Sequence, residues 1–237
     1  MNEEEWIYCT QKARAADVDA YLAALFLPEP ERRRVLALDA LAAELGGAKR
    51  PHEPLLALMR VQWWREAIKR AFSGRPDAHP VLQALSVVIA QQKLPEAEFE
   101  SLLQAHEKDL EAEEAGKWSA TAAARWLLQL KHWALTGGPG DETASRVLDA
   151  TSVALGAGVV LRRKDGGDVS DLVQHAEAAI ITAKAHPGAV RLPLLLPLSS
   201  LKLYLNRLKR VPEARAQEPP VYQKQWAMLR ARLRGRL

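Results

Sequence analysis

Apolar residues recur along this chain at spacings of three and four, and strict apolar–polar alternation appears nowhere over a useful length. The pattern predicts helices throughout and no sheet. Proline and glycine cut it into ten segments. The first runs from near Ala16 to Leu27, with Tyr21, Leu22, Leu25 and Phe26 on one face. After Pro28, a helix opening at Pro30 carries Val35, Leu36, Leu38, Leu41 and Leu45 and stops at Gly46 and Gly47. Helices from Pro54 to Phe72, Pro80 to Gln92 and about Pro95 to Glu114 follow. Their opening prolines cost nothing, because the first turn has no partner for the missing N–H. Ser119 is placed to cap a helix reaching Leu135, and Gly137 to Gly140 ends it. Asp141 to about Arg162, Val169 to Ala185, Leu194 to Leu208 and Val221 to Arg236 complete the set. No internal repeat or strong boundary interrupts it, so the expected architecture is all-α and a single domain over residues 1–237.

Composition agrees: alanine, leucine, glutamate, arginine and glutamine dominate, all of which lose little side-chain freedom in a helix. At 237 residues and 48% hydrophobic, the chain can build a core without staples. Cys9 is the single cysteine, which excludes an internal disulfide framework and a cysteine-based zinc site and suits a reducing compartment. The most apolar run, Leu192 to Leu198, is broken by Pro193 and Pro197, and the opening residues are acidic where a secretory signal would be basic. A cytoplasmic protein is expected, peripheral at most at an inner membrane.

Charge is unevenly placed. The net value is +4, but the segment from Leu201 onward carries +8 and everything before it −4. A basic tail on an acidic body points to an anionic lipid surface or an acidic protein. Its last helix, about residues 219–237, sets Trp226, Leu229 and Leu233 at helical spacing among Arg230, Arg232, Arg234 and Arg236. That pattern suits a helix lying on an anionic membrane, and equally one docking its apolar side on the body. Nucleic acid is not an expected partner, since the basic residues are not interleaved with stacking aromatics.

The chain has no phosphate-binding Gly-rich loop ending in Gly-Lys-Ser/Thr, no Gly-x-Ser-x-Gly elbow and no His-Glu-x-x-His helix. Asp109 and Glu113 lie four apart and share a helix face, as a magnesium-binding pair would, or as a solvated acidic helix end would. The least generic block is Arg60-Val61-Gln62-Trp63-Trp64-Arg65-Glu66. Adjacent tryptophans on a helix point to different faces, so one enters the core while the other lines a neighbour or a cavity. Arg60, Trp63, Trp64, Arg65 and Asp109 are therefore the candidate cavity or interhelix residues, in a structural or binding role.

The order of these blocks resembles the squalene/phytoene synthase family. The resemblance rests on the stretches Asp19 to Pro30, Val35 to Leu45 and Arg60 to Ala67, with His79-Pro80 and Leu94-Pro95 continuing in register. The helix from Leu201 to Arg210 and the pair Gln225-Trp226 resemble the family's shorter branch, which includes a mitochondrial complex I assembly factor. The resemblance implies an isoprenoid-synthase-like helical bundle around a central cavity. Active members of the family join two prenyl diphosphates, with magnesium held by two aspartate-rich helices. Here the register puts Gly46, Gly47 and Arg50 at the first metal-binding positions, and the second motif lacks a carboxylate until Asp165. The expectation is thus a pseudoenzyme: no catalytic residue, no metal ligand and no cofactor, acting as an assembly or scaffold factor with an isoprenoid or lipid as cavity ligand. The alternative is a magnesium-dependent prenyl diphosphate synthase with ligands relocated to Asp109, Glu113, Asp165 and Asp168.

Overall fold

In the computed structural model, residues 3–46, 54–114, 121–162, 170–186, 188–210 and 218–237 are described. They form twelve helices and, among the described residues, no strand. The chain divides into two compact units, Met1–Pro139 and Gly140–Leu237.

The first unit holds α1 (Glu3–Ala16), α2 (Val18–Ala24), α3 (Glu29–Gly46), α4 (Pro54–Phe72), α5 (Pro80–Gln92), α6 (Glu96–Glu114) and α7 (Thr121–Thr136). Helix α3 is its spine. Seven consecutive residues, Val35 to Leu41, are buried, because α1, α5 and α7 all pack around it. Helix α4 packs on α5 and α6, and α6 packs on α7. Leu38, Leu41, Leu82, Leu85, Phe99 and Leu102 supply much of the fully buried volume.

The second unit holds α8 (Glu142–Arg162), α9 (Ser170–Ala185), α10 (Leu192–Leu195), α11 (Pro197–Arg210) and α12 (Val221–Arg234). Helices α8 and α9 pack extensively on one another, α11 lies on both, and α12 packs on α11. Tyr204 of α11 is fully buried and donates from its hydroxyl to the Leu161 carbonyl, 3.0 Å away. Helix α8 is the one described helix long and apolar enough to cross a membrane. However, 61% of its apolar window is buried inside the protein, as in a core helix.

Several boundaries differ from the sequence expectation for physical reasons. Helix α1 was not expected, because only Cys9 and Ala13 are fully buried on it. Asp17 then starts a new helix, accepting the Ala20 N–H at 2.9 Å, so the expected segment from Ala16 begins as α2. The segment expected from Leu194 to Leu208 is two helices, α10 and α11, the second opening at Pro197. Gly235 ends α12 in the left-handed region, φ +66°, two residues short of the expected end at Arg236. Ser119, expected as a cap, lies outside the described residues.

Candidate functional site

The block singled out by the sequence sits on α4, and its residues take different surroundings. Trp64 is 2% exposed and Trp63 is 45% exposed. Their rings meet edge to face at 5.1 Å, and His79 at the start of α5 stands edge-on to Trp64 at 5.2 Å. Tyr8 of α1 closes the group at 5.9 Å from His79. These perpendicular arrangements set ring edges against ring faces, the favourable quadrupole geometry. Arg60 is exposed, on the same half of α4 as the exposed side chains of Leu55, Leu56 and Met59.

His79 also caps α5. Its Nδ1 accepts the Val81 N–H at 3.3 Å, so in the neutral ring the proton resides on Nε2. Burial holds the imidazole below its ordinary value of 6.5. A depressed histidine favours the folded state above its unfolded pKa, and that contribution is lost as pH falls through the folded value. We therefore expect the wild type to lose stability as pH falls from neutrality to below about 6.5. His79→Asn, which keeps a capping acceptor, should flatten this part of the profile, as read from urea midpoints at the two ends.

Glu44 on α3 lies next to this group. It accepts from the Tyr8 hydroxyl at 2.8 Å and pairs with Lys12 at 2.8 Å. Burial alone would raise its carboxyl, but the Lys12 and Tyr8 hydrogen bonds outweigh that and hold it below its usual value.

Arg65 points the other way, toward α6. Its Nε donates to both oxygens of Glu100, at 3.1 and 3.0 Å, and its two terminal nitrogens reach the two oxygens of Glu107 at 3.0 and 2.8 Å. Gln62 accepts a further bond at 2.6 Å. The Glu107 bonds, then those of Glu100, raise the guanidinium pKa, so the side chain is a fixed cation clamping α4 to α6. Arg65→Ala should cost about 1–3 kcal/mol in urea unfolding, given two charge-assisted partners at a part-buried site. Arg65→Lys should recover less than half, because a single ammonium cannot engage both carboxylates in this fork geometry.

The third feature lies on the helix that would carry the first metal motif. Asp39 is buried on α3, and Lys131 of α7 places its Nζ 2.6 Å from Oδ1; the side chains are 8% and 7% exposed. Burial pushes the Asp39 carboxyl above the usual carboxylate value, opposed by the lysine's charge and hydrogen bond. One helical turn or two further on, where the resemblance expects a metal-binding acid, α3 ends in Gly46. Gly47 and Arg50 lie outside the described residues.

Asp109, the remaining candidate, is 3% exposed on α6. Of the other carboxylates in the relocated set, Asp165 and Asp168 lie outside the described residues, as does the side chain of Glu113. Among the described residues, no group of three or more histidine, cysteine, aspartate or glutamate side chains is placed to hold a metal ion. The donor set on α3 does not fit magnesium: Asp39 and the partly buried Glu44 are each already matched by an ammonium, that of Lys131 and that of Lys12.

Sequence reasoning missed Lys131, Glu100, Glu107 and Glu44 as partners. The signal for one pair was present. Asp39 and Lys131 are isolated opposite charges inside the apolar runs Val35 to Leu41 and Leu127 to Leu135.

Comparison with known proteins gives the site its context. Residues 13–122, all within the first unit, match the family model described as squalene/phytoene synthase. Curated relatives are named NADH dehydrogenase (ubiquinone) complex I, assembly factor 6. The rat protein is 30% identical over 106 residues, 44% of this chain and 32% of its own length. The human protein is 30% identical over 105 residues with the same coverage. The Drosophila melanogaster homolog is 30% identical over 110 residues, 43% of this chain and 32% of its own. The chain thus spans about a third of the length of the curated relatives it matches.

Two solved structures share the fold over almost the whole chain. The squalene synthase HpnC from Alicyclobacillus acidocaldarius has a TM-score of 0.65 at 17% identity, covering 98% of this chain and 94% of that one. A dehydrosqualene synthase in complex with ligand has a TM-score of 0.75 at 16% identity, covering 98% and 96%. By sequence over residues 13–122 and by fold over nearly its full length, the chain is similar to squalene/phytoene synthases, and curated relatives that it matches over part of its length are named complex I assembly factors.

Proposed function

We propose that this chain is a non-catalytic protein of the squalene/phytoene synthase fold that serves assembly of respiratory complex I. The observation that carries the reading is the state of α3. Where the resemblance expects the first metal-binding acid it ends in Gly46, and its buried acid, Asp39, is engaged by Lys131 at 2.6 Å. A diphosphate leaves only when its charge is neutralised, and hard Mg²⁺ for that task needs several oxygen ligands held together. An internal ammonium in place of the metal keeps the helices paired and performs no such chemistry. We assign no cofactor for the same reason. The names of the curated relatives support the assembly role, and a place at the inner face of a membrane goes with it. A magnesium-dependent synthase with relocated carboxylates is the less favoured reading.

The test is genetic and biochemical. Removing this chain from its own cell should lower assembled, NADH-oxidising complex I severalfold while the prenyl-derived lipids keep their level. Unchanged complex I, or loss of those lipids with complex I intact, would overturn the proposal.

A further inference from the structure

Helix α12 buries one side and leaves an apolar side in solvent. The buried side is Lys224, Met228 and Ala231, which face α11. The Lys224 ammonium is matched there by Glu218 at 2.5 Å. Successive residues on an α-helix turn by about 100°, so the opposite side carries Tyr222, Trp226, Leu229 and Leu233 within roughly 60° of one another. These four are 62%, 55%, 36% and 76% exposed. Such a stripe is the unusual observation, since water gains nothing from a row of large apolar side chains opposite an already buried face.

The flanks say what the stripe suits. By the same geometry Arg230 and Arg234 lie along one shoulder and Arg232 along the other, with Arg236 following Gly235 just past the helix end. All four are exposed, and the helix itself, Val221–Arg234, contains no acidic residue. The Arg230 guanidinium lies 5.7 Å from the Trp226 ring centre, so cation and aromatic ring act as one amphipathic unit. We propose that the outward face of α12 is a docking surface for an anionic phospholipid bilayer, on which the helix lies flat with Trp226 and Leu233 in the acyl boundary and the flanking arginines at the phosphates.

Three features favour a bilayer over a protein groove. The cations flank the stripe on both sides, as a plane of anionic headgroups requires, where one partner helix or strand would set charges at discrete points. Tyrosine and tryptophan belong to the ring chemistry favoured at a headgroup boundary. Fourteen residues are too few to span a membrane, which takes about 20, but ample to lie along one. The basic surface also continues past the helix end. A pocket of about 590 Å³ in the same unit is lined by Lys184, Arg234 and Arg236 beside Leu192 and Leu195. Burial, and then the neighbouring Lys202, hold the Lys184 ammonium below its ordinary value, so a phosphate arriving there meets cations that gain from its charge.

This proposal is independent of the assembly role and is read out on the purified full chain. Co-sedimentation with vesicles should show binding to phosphatidylcholine mixed with phosphatidylglycerol and little to phosphatidylcholine alone, falling as salt is raised. Trp226→Glu combined with Leu233→Glu should lower partitioning by more than about tenfold, since each places a charge in the acyl boundary. Both positions are exposed, so the circular dichroism and urea midpoint should stay unchanged. Arg232→Glu with Arg236→Glu should weaken binding to the mixed vesicles and remove most of its salt dependence. No binding to the mixed vesicles, equal binding to neutral ones, or an unchanged double glutamate variant would each overturn the proposal. Capture of an acidic protein by α12 without vesicle binding would do the same.

Discussion

Replacing Lys131 with alanine is expected to destabilise the first unit by about 3–5 kcal/mol, the cost of stranding a buried charge. The ammonium lies 2.6 Å from the Asp39 carboxylate, and both side chains are more than nine-tenths buried. Truncation leaves the carboxylate without its countercharge in a medium that solvates it poorly. Asp39 answers by holding its proton more tightly, and burial already pushes it above 3.8 with the lysine present. A raised carboxyl contributes stability that is fully present below its unfolded pKa and is lost as pH rises through the folded value. The deficit of Lys131→Ala should therefore shrink on acidification and be largest near neutrality.

The companion variant separates charge from packing. Asp39→Leu with Lys131→Met removes both partners, and replacing a buried pair by apolar groups is often neutral or favourable. The double variant should thus regain most of the loss in a urea-unfolding cycle. Equal instability of the single and double variants would mean that shape, and not the ion pair, holds α3 to α7.

Trp64→Ala should be of similar size, about 3–5 kcal/mol, because it empties a large core site. Trp64 is buried against the interior and makes edge contacts with Trp63 and His79. Trp63→Ala should cost about 1 kcal/mol or less, since that ring is half in solvent and gives up mainly its edge contacts. The pair forms a direct test of face assignment on α4: chemically identical truncations, one residue apart, with effects differing severalfold in urea unfolding. Near-equal losses would contradict the placement of α4.

Much of the architecture is legible along the chain, and the reason is local. Helices α4 and α5 begin at Pro54 and Pro80 and end at Phe72 and Gln92 as the sequence reads, because proline fixes a first turn and the following polar turns fix the stop. Helix α1 escaped notice because only two small or half-polar residues, Cys9 and Ala13, are fully buried on it, while Trp6 and Tyr8 are partly buried among charged neighbours. Pro197 divides α10 from α11, yet from sequence alone an apolar run across a proline reads as one segment.

The site was legible in its members and not in its partners. The doublet Trp63-Trp64 announces that one ring is buried, but the choice depends on where α5 brings His79. Arg65 stood out as charge beside aromatic bulk, while its partners lie 35 and 42 residues away on α6. Their register is set by how α4 crosses α6, which no local pattern encodes. Asp39 and Lys131 each carry a warning, a lone charge in an apolar run, and only packing joins them across 92 residues.

The measurement that bears most directly on the account is release of inorganic pyrophosphate from farnesyl or geranylgeranyl diphosphate by the purified chain with Mg²⁺. The account predicts release no faster than in protein-free buffer, with or without the metal. Magnesium-dependent release that continues through multiple turnovers and disappears on changing Asp109 to asparagine would contradict it.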